Sequence, residues 1–158
     1  MNIQFVEKQR FPNILLWILF ALPLIASYGL YKQLVLKEPV GNNPAPDGVL
    51  IAATIFIYCL AGLFAITRLH TKIDQNGIEM RFAPFFKKTW KWEDIDHIQV
   101  INYGFVGGWG IRLTIKYGTV FNVSGSYGLA VILKSGKKFV IGTKKPDELN
   151  AAVQGEQI

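Results

Sequence analysis

His70 and His97 are the first residues to weigh for chemistry. Neither has Cys or Asp at a spacing that could share a metal ion, so His70 is expected at a membrane surface and His97 on a strand face. Val123-Ser124-Gly125-Ser126-Tyr127-Gly128 sets serines among glycines. It departs from the Gly-x-Ser-x-Gly elbow of a nucleophilic serine, which leaves a tight turn between strands. The glycine-rich stretch Gly104 to Gly110 lacks the Lys-Ser/Thr pair of a phosphate loop and opens no helix. A bulge or a close backbone approach accounts for its glycines. Glu93, Asp94 and Asp96 could gather a cation, but a solvated turn is the better account of them. Asn122-Val123-Ser124 has the form of a glycosylation acceptor, which has no use in the cytoplasm. Cys59 is the single cysteine, so no disulfide framework exists. These residues point to no catalytic group, no metal ligand and no cofactor.

Basic residues are the remaining signal. Lys87, Lys88 and Lys91 cluster about one expected β-hairpin, and Arg112 and Lys116 share the outward face of another strand. A lysine or arginine held within a Debye length of an anionic leaflet contributes ~1 kcal/mol. Lys87, Lys88 and Lys91 are therefore the candidate lipid-facing residues. Nucleic acid is a poorer partner, because Trp90 and Trp92 alternate inward and offer no stacking platform.

The elements that position these residues follow from composition. Among 158 residues, 51% are hydrophobic and only 18% charged, with a mean hydropathy of +0.27. That excludes a disordered chain. The apolar residues concentrate in two charge-free runs, Ile14 to Tyr31 and Val49 to Thr67. Each approaches the ~20 residues that cross a hydrocarbon core, and neither has the polar face of a soluble helix. Trp17, Tyr28 and Tyr31 are the expected interfacial anchors of the first span. Pro23 is expected to kink that span, and Cys59 to act as a small apolar filler. A cleaved signal peptide fits less well, since the first run exceeds the usual h-region and no small-x-small site follows it.

The connector, Leu36 to Gly48, is rich in Pro, Gly and Asn, so the spans form an antiparallel hairpin. Lys8 and Arg10 precede it and Arg68 and Lys72 follow it, against Lys32 and Lys37 on the connector side. The excess places both termini in the cytoplasm of a multi-pass protein of the cell membrane. Neither span holds an ionisable residue of the kind that ion-coupled transport uses. The chain thus divides into a cytoplasmic N-terminal segment (1–13), a transmembrane hairpin (14–67, spans about 14–31 and 49–67) and a cytoplasmic domain (70–154).

Residues 68–158 carry 13 Lys and Arg against 8 Asp and Glu. Their hydropathy alternates with period two, which predicts strands. The expected runs are His70 to Asp74, Ile78 to Phe85, a strand through Phe86, Trp90 and Trp92, His97 to Tyr103, Ile111 to Tyr117, Leu129 to Lys134 and Lys138 to Ile141. In the fifth run Ile111, Leu113, Ile115 and Tyr117 alternate against Arg112, Thr114 and Lys116. A short helix from about Pro146 to Gln154 follows, with Asp147 and Glu148 at its start and Leu149, Ala152 and Val153 as its apolar stripe. About seven strands and a closing helix make a small β barrel or sandwich.

Several motifs in that order carry a resemblance. They are Trp92-Glu93-Asp94-Ile95 after a strand, Gly107-Gly108-Trp109-Gly110-Ile111-Arg112, Gly125-Ser126-Tyr127-Gly128 before a hydrophobic strand, and Ile141-Gly142-Thr143 before Pro146-Asp147-Glu148-Leu149. The series, over about residues 70 to 153, resembles the bacterial pleckstrin-homology-like (PH-like) domains of small membrane proteins, in which a preceding pair of spans is also common. The resemblance implies a seven-stranded PH-like barrel capped by a C-terminal helix, without an assigned enzymatic activity. The expected function is that of a non-enzymatic membrane protein presenting this domain for protein interaction or homo-oligomeric assembly. An anionic-lipid sensor using the basic hairpin is the alternative, and an accessory subunit of a transporter or membrane enzyme a remote one. The bilayer, a membrane protein partner, a second copy and anionic lipid are the expected partners.

Overall fold

The computed structural model describes residues 3–154, which form two compact units. One runs from Pro12 to Ile66 and is a helical hairpin. Its helices are α1 (Asn13–Leu34) and α2 (Asp47–Ile66), of 22 and 20 residues. At ~1.5 Å per residue both reach the thickness of a bilayer core. Both are long and apolar enough to cross a membrane. Only Pro23 of α1 and Thr54 and Ala61 of α2 are buried, so both helices leave most of their apolar surface uncovered. Pro23 lies within an unbroken α1, and the helices begin and end within a few residues of the expected spans, with Lys32 and Gln33 added to the last turn of α1. The Ser27 and Tyr58 hydroxyls meet at 3.0 Å between them. Gln33 fastens the connector by donating to the Ala45 carbonyl and to Asp47 Oδ1, each at 2.8 Å.

The other unit joins the N-terminal stretch through Phe11 to the chain from Thr67 onward. It contains nine strands among the described residues, two more than expected, in two sheets. The first is an antiparallel meander of β1 (Ile3–Arg10), β2 (Arg68–Asp74), β3 (Gly77–Ala83) and β4 (Phe86–Lys91). A 3-10 turn, Trp92–Asp94, leads into the second sheet. Its strands are β5 (Ile95–Asn102), β6 (Gly110–Thr114), β7 (Gly118–Asn122), β8 (Tyr127–Leu133) and β9 (Lys138–Thr143), in the order β5-β8-β9-β7-β6. All its pairs are antiparallel except β7 with β9.

One added strand is β1, from a segment that the sequence reading set apart from the β domain. Its inward row is Phe5, Glu7, Gln9 and Phe11, all buried. Two polar residues in that row erase the hydropathy alternation that marks a strand. The other added strand is β7, where Val120, Phe121 and Asn122 are buried in succession. A strand packed on both sides reads as a continuous run rather than an alternation. The expected run through Tyr117 accordingly stops at Thr114 and turns.

The core lies between the two sheets. Leu69, Ile73, Ile78, Met80 and Phe82 of the first face Phe121, Leu129, Val131, Phe139 and Ile141 of the second, each at most 6% exposed, while Val120 and Val140 pack with Tyr103 on the opposite face of the second sheet. Helix α3 (Pro146–Gln154) packs against β5, β1 and β8 through buried Leu149 and Val153. The short closing helix therefore takes the place its apolar stripe required.

Candidate functional site

Strand β4 carries the three candidate lysines at the edge of the first sheet, and its alternation separates them. Phe86, Lys88 and Trp90 share one face, and Lys87, Thr89 and Lys91 the other. The inner face is aromatic: Trp90 stacks on Phe139 at 4.1 Å between ring centroids, and Phe86 meets Phe121 edge-on at 5.9 Å. Lys88 Nζ sits 5.4 Å from the Phe121 centroid and 5.6 Å from that of Phe86, a cation over two rings. On the outer face, Lys87 pairs with Glu79 at 2.8 Å and Lys91 with Glu93 at 3.0 Å. The Glu93 carboxylate raises the Lys91 ammonium above its ordinary value through its hydrogen bond. The structure thus does not bring Lys87, Lys88 and Lys91 into one cluster.

Lys88 instead joins a group the sequence reading did not assemble. An open groove of about 280 Å³ is lined by Lys88 and Trp90 of β4, Leu113 and Thr114 of β6, Phe121 of β7, and Phe139. Lys137, in the turn into β9, and Lys138, the first residue of β9, stand at the same groove. It adjoins the β6–β7 turn, Ile115 to Tyr117. That turn is pinned by Thr114, whose Oγ1 donates to the Gly118 carbonyl at 3.1 Å and accepts from the Tyr117 N–H at 3.0 Å. Gly118 has φ +69°, and a Cβ there would lie 2.1 Å from the Lys138 carbonyl oxygen, so only glycine closes the hairpin onto β9. Lys116 Nζ lies 4.9 Å from the Tyr117 ring.

Strand β6 is the free edge of its sheet, and the apolar row expected to point into the core lies outside. Leu113 is 86% exposed, Ile115 fully exposed and Ile111 44% exposed, while Phe105 in the preceding loop is 89% exposed. The reason is position: a sandwich core ends before its edge strand, so side chains beyond the last facing strand have nothing to pack on. The accompanying charge distribution was legible in sequence yet passed over. From residue 97 to residue 146 the chain has seven Lys and Arg and no Asp or Glu, so β6 to β9 are free of carboxylates.

A second basic group lies on the first sheet, where the register aligns Lys8, His70, Arg81 and Lys87 across its four strands. Arg10 and Arg68 are partners on the same face, at the strand ends next to α1 and α2 in the chain. Burial is the main cause holding the His70 imidazole below its ordinary value of 6.5, followed by Lys8, Arg81 and Arg68.

The remaining candidates find structural places. Asn122 is buried and donates to the Tyr103 hydroxyl at 3.2 Å, which in turn donates to the Gly125 carbonyl at 3.3 Å; burial raises the Tyr103 phenol. The glycine-rich loop covers a cavity of about 530 Å³ lined by Phe105, Val106, Trp109 and Asn122 among others. His97 is exposed on β5, and Cys59 exposed on α2. Trp17, Tyr28 and Tyr31 are exposed on α1 at 73, 64 and 51%. Among the described residues no group of three His, Cys, Asp or Glu is gathered.

No protein-family model matches this chain, and no curated protein or solved structure is significantly similar to it.

Proposed function

We propose that the chain is a non-enzymatic integral membrane protein that crosses the cell membrane twice, keeps both termini in the cytoplasm and presents a PH-like β unit there, working by surface contact at the membrane. The observation that carries this reading is the exposed apolar row of β6, with Leu113 and Ile115 almost wholly in solvent. A free strand edge carrying large aliphatic side chains is a surface that something else covers. The two apolar helices, with few buried residues between them, support the anchor. Lys8, Arg10 and Arg68 beside the helix ends support the cytoplasmic placement, and Glu38 offsets Lys32 on the connector side at 3.1 Å. The lipid-sensing alternative through Lys87 and Lys91 is weakened by their carboxylate partners.

The test is the accessibility of Leu113→Cys in a Cys59→Ser chain to a bulky maleimide, in inverted native membranes and after detergent. Protection in membranes that detergent abolishes is the expected result. Equal labelling in both overturns the reading.

A further inference from the structure

We infer that the free edge of β4 docks an extended segment of a partner protein, rich in aliphatic and acidic side chains, as an added strand of the first sheet. The inference rests on the proposed reading that something covers β6, and it names the cover.

β4 ends the first sheet, so one row of its backbone N–H and C=O groups has no strand to pair with among the described residues. The groove of about 280 Å³ lies beside β4, where Lys88 and Trp90 line it with Leu113 of β6, Thr119 and Phe121 of β7 and Phe139 of β9. The two sheets are unequal, with four strands against five. By the β6–β7 register Leu113 is on the same face as Phe121, yet it is 86% exposed where Phe121 is buried. Lys88, between Phe86 and Trp90 on the inward face of β4, is exposed as well. A strand laid along β4 would pair with its free backbone groups and set one row of side chains toward Leu113.

Charge complementarity sets the chemistry of the occupant. Lys88, Lys137 and Lys138 stand at the groove, and none forms an ion pair with a described residue. From residue 97 to residue 146 the chain has no carboxylate to answer them. Aliphatic side chains suit Leu113, and Asp or Glu beside them suits the lysines. A second copy is a poorer occupant, because β4 carries three lysines and no carboxylate and would meet itself. An anionic lipid surface matches the charge but brings no backbone groups to the edge.

The experiment presents a displayed library of random peptides, about eight residues long, to the full chain in phosphatidylcholine nanodiscs, with empty discs as counter-selection. Enriched peptides are expected to combine Val, Ile or Leu with Asp or Glu and to lack Lys and Arg. N-methylation of alternate residues along one edge of an enriched peptide should abolish binding, and along the other edge should leave it, because an added strand uses one row of its amides. Lys137→Glu and Lys138→Glu should each weaken binding roughly fivefold or more, with melting points near the parent's. Lys8→Glu, on the strand at the opposite edge of the sheet, should leave binding unchanged. No enrichment over empty discs overturns the inference, as do basic or purely apolar winners. Equal effects of the two N-methylated peptides overturn it, and so do equal losses in Lys8→Glu and Lys137→Glu. Peptide binding that disappears as the chain dimerises would assign the edge to a second copy instead. Protection of Leu113→Cys in native membranes without peptide enrichment would sink the strand site alone. Equal labelling there with and without detergent would sink the proposed function as well.

Discussion

The Thr143 hydroxyl donates to Glu7 Oε2 at 2.6 Å, joining the first strand of the chain to the end of the last. The other carboxylate oxygen accepts the Lys144 N–H at 2.9 Å, and Gln9 donates to the Gly142 carbonyl at 2.7 Å two residues along β1. The inward polar residues of β1 thus occupy defined bonds to the strand that leads into α3.

Glu7→Gln should destabilise the β unit by about 1–3 kcal/mol, because the new amide N–H would face the Lys144 N–H or the Thr143 hydroxyl in a buried place. Thr143→Val should cost about 1–2 kcal/mol by removing the donor. Thermal unfolding of the purified full chain in detergent would read both. An unchanged midpoint for Glu7→Gln would show that the carboxylate contributes nothing to holding β1.

His70 should make stability depend on pH in one direction. Its folded pKa lies below the unfolded value of 6.5, so the unfolded state binds more protons between the two. The contribution is full above 6.5 and is lost as pH falls from 6.5 through the lowered folded value. Midpoints measured from about pH 8 to pH 5 should decline more in the parent than in His70→Gln. Parallel profiles would refute the assignment to this histidine.

Gly118→Ala should cost about 1–3 kcal/mol or more, since the left-handed backbone and the Lys138 carbonyl both oppose a Cβ. Gly136→Ala, in a turn with φ +80° but open space around it, should cost less. The comparison isolates the close approach of β7 to β9 from the cost of the backbone conformation.

Lys87→Ala and Lys91→Ala should leave the melting point unchanged, because each lysine is an exposed partner in a surface ion pair. Thermal unfolding of the two variants beside the parent checks it, and a clearly lowered midpoint for either would show that its pair helps to hold β4.

Orientation has its own readout. Single cysteines in a Cys59→Ser chain at Asn42, in the connector, and at Asn76, in the β unit, should label oppositely with an impermeant maleimide on intact cells. Asn42→Cys should react at once, and Asn76→Cys only after permeabilisation. The reverse pattern would invert the proposed topology.

Much of the fold was legible because its signals are local. The two long apolar helices announced themselves by the absence of charge, α3 by Pro146, Asp147 and Glu148 ahead of an apolar stripe, and the β2–β3 hairpin by Gln75-Asn76-Gly77. What the sequence hid was set by long-range packing. Glu7 and Gln9 look like solvent-facing residues until β9 is placed beside them. Ile111 and Leu113 look like core until β6 is known to be an edge. The candidate lysines differ, for the alternation of Phe86 and Trp90 against Lys87 and Lys91 already set Lys88 on the apolar side, although the three were grouped by their spacing. The carboxylate-free stretch from residue 97 to 146 was in plain view, but the exposure of Leu113 and Ile115 within it was not.

The pairing of β1 with β2 has a consequence for biogenesis. Arg10 and Arg68 are register partners, yet α1 and α2 are synthesised between them. In a chain that crosses twice, the two strands meet on the same side of the bilayer. If only one helix inserted, they would be stranded on opposite sides, and the first sheet would lack its outer member together with the Glu7 and Gln9 bonds. Under the proposed topology, a chain threaded the wrong number of times would leave the edge of β2 unpaired and uncover the faces beneath β1.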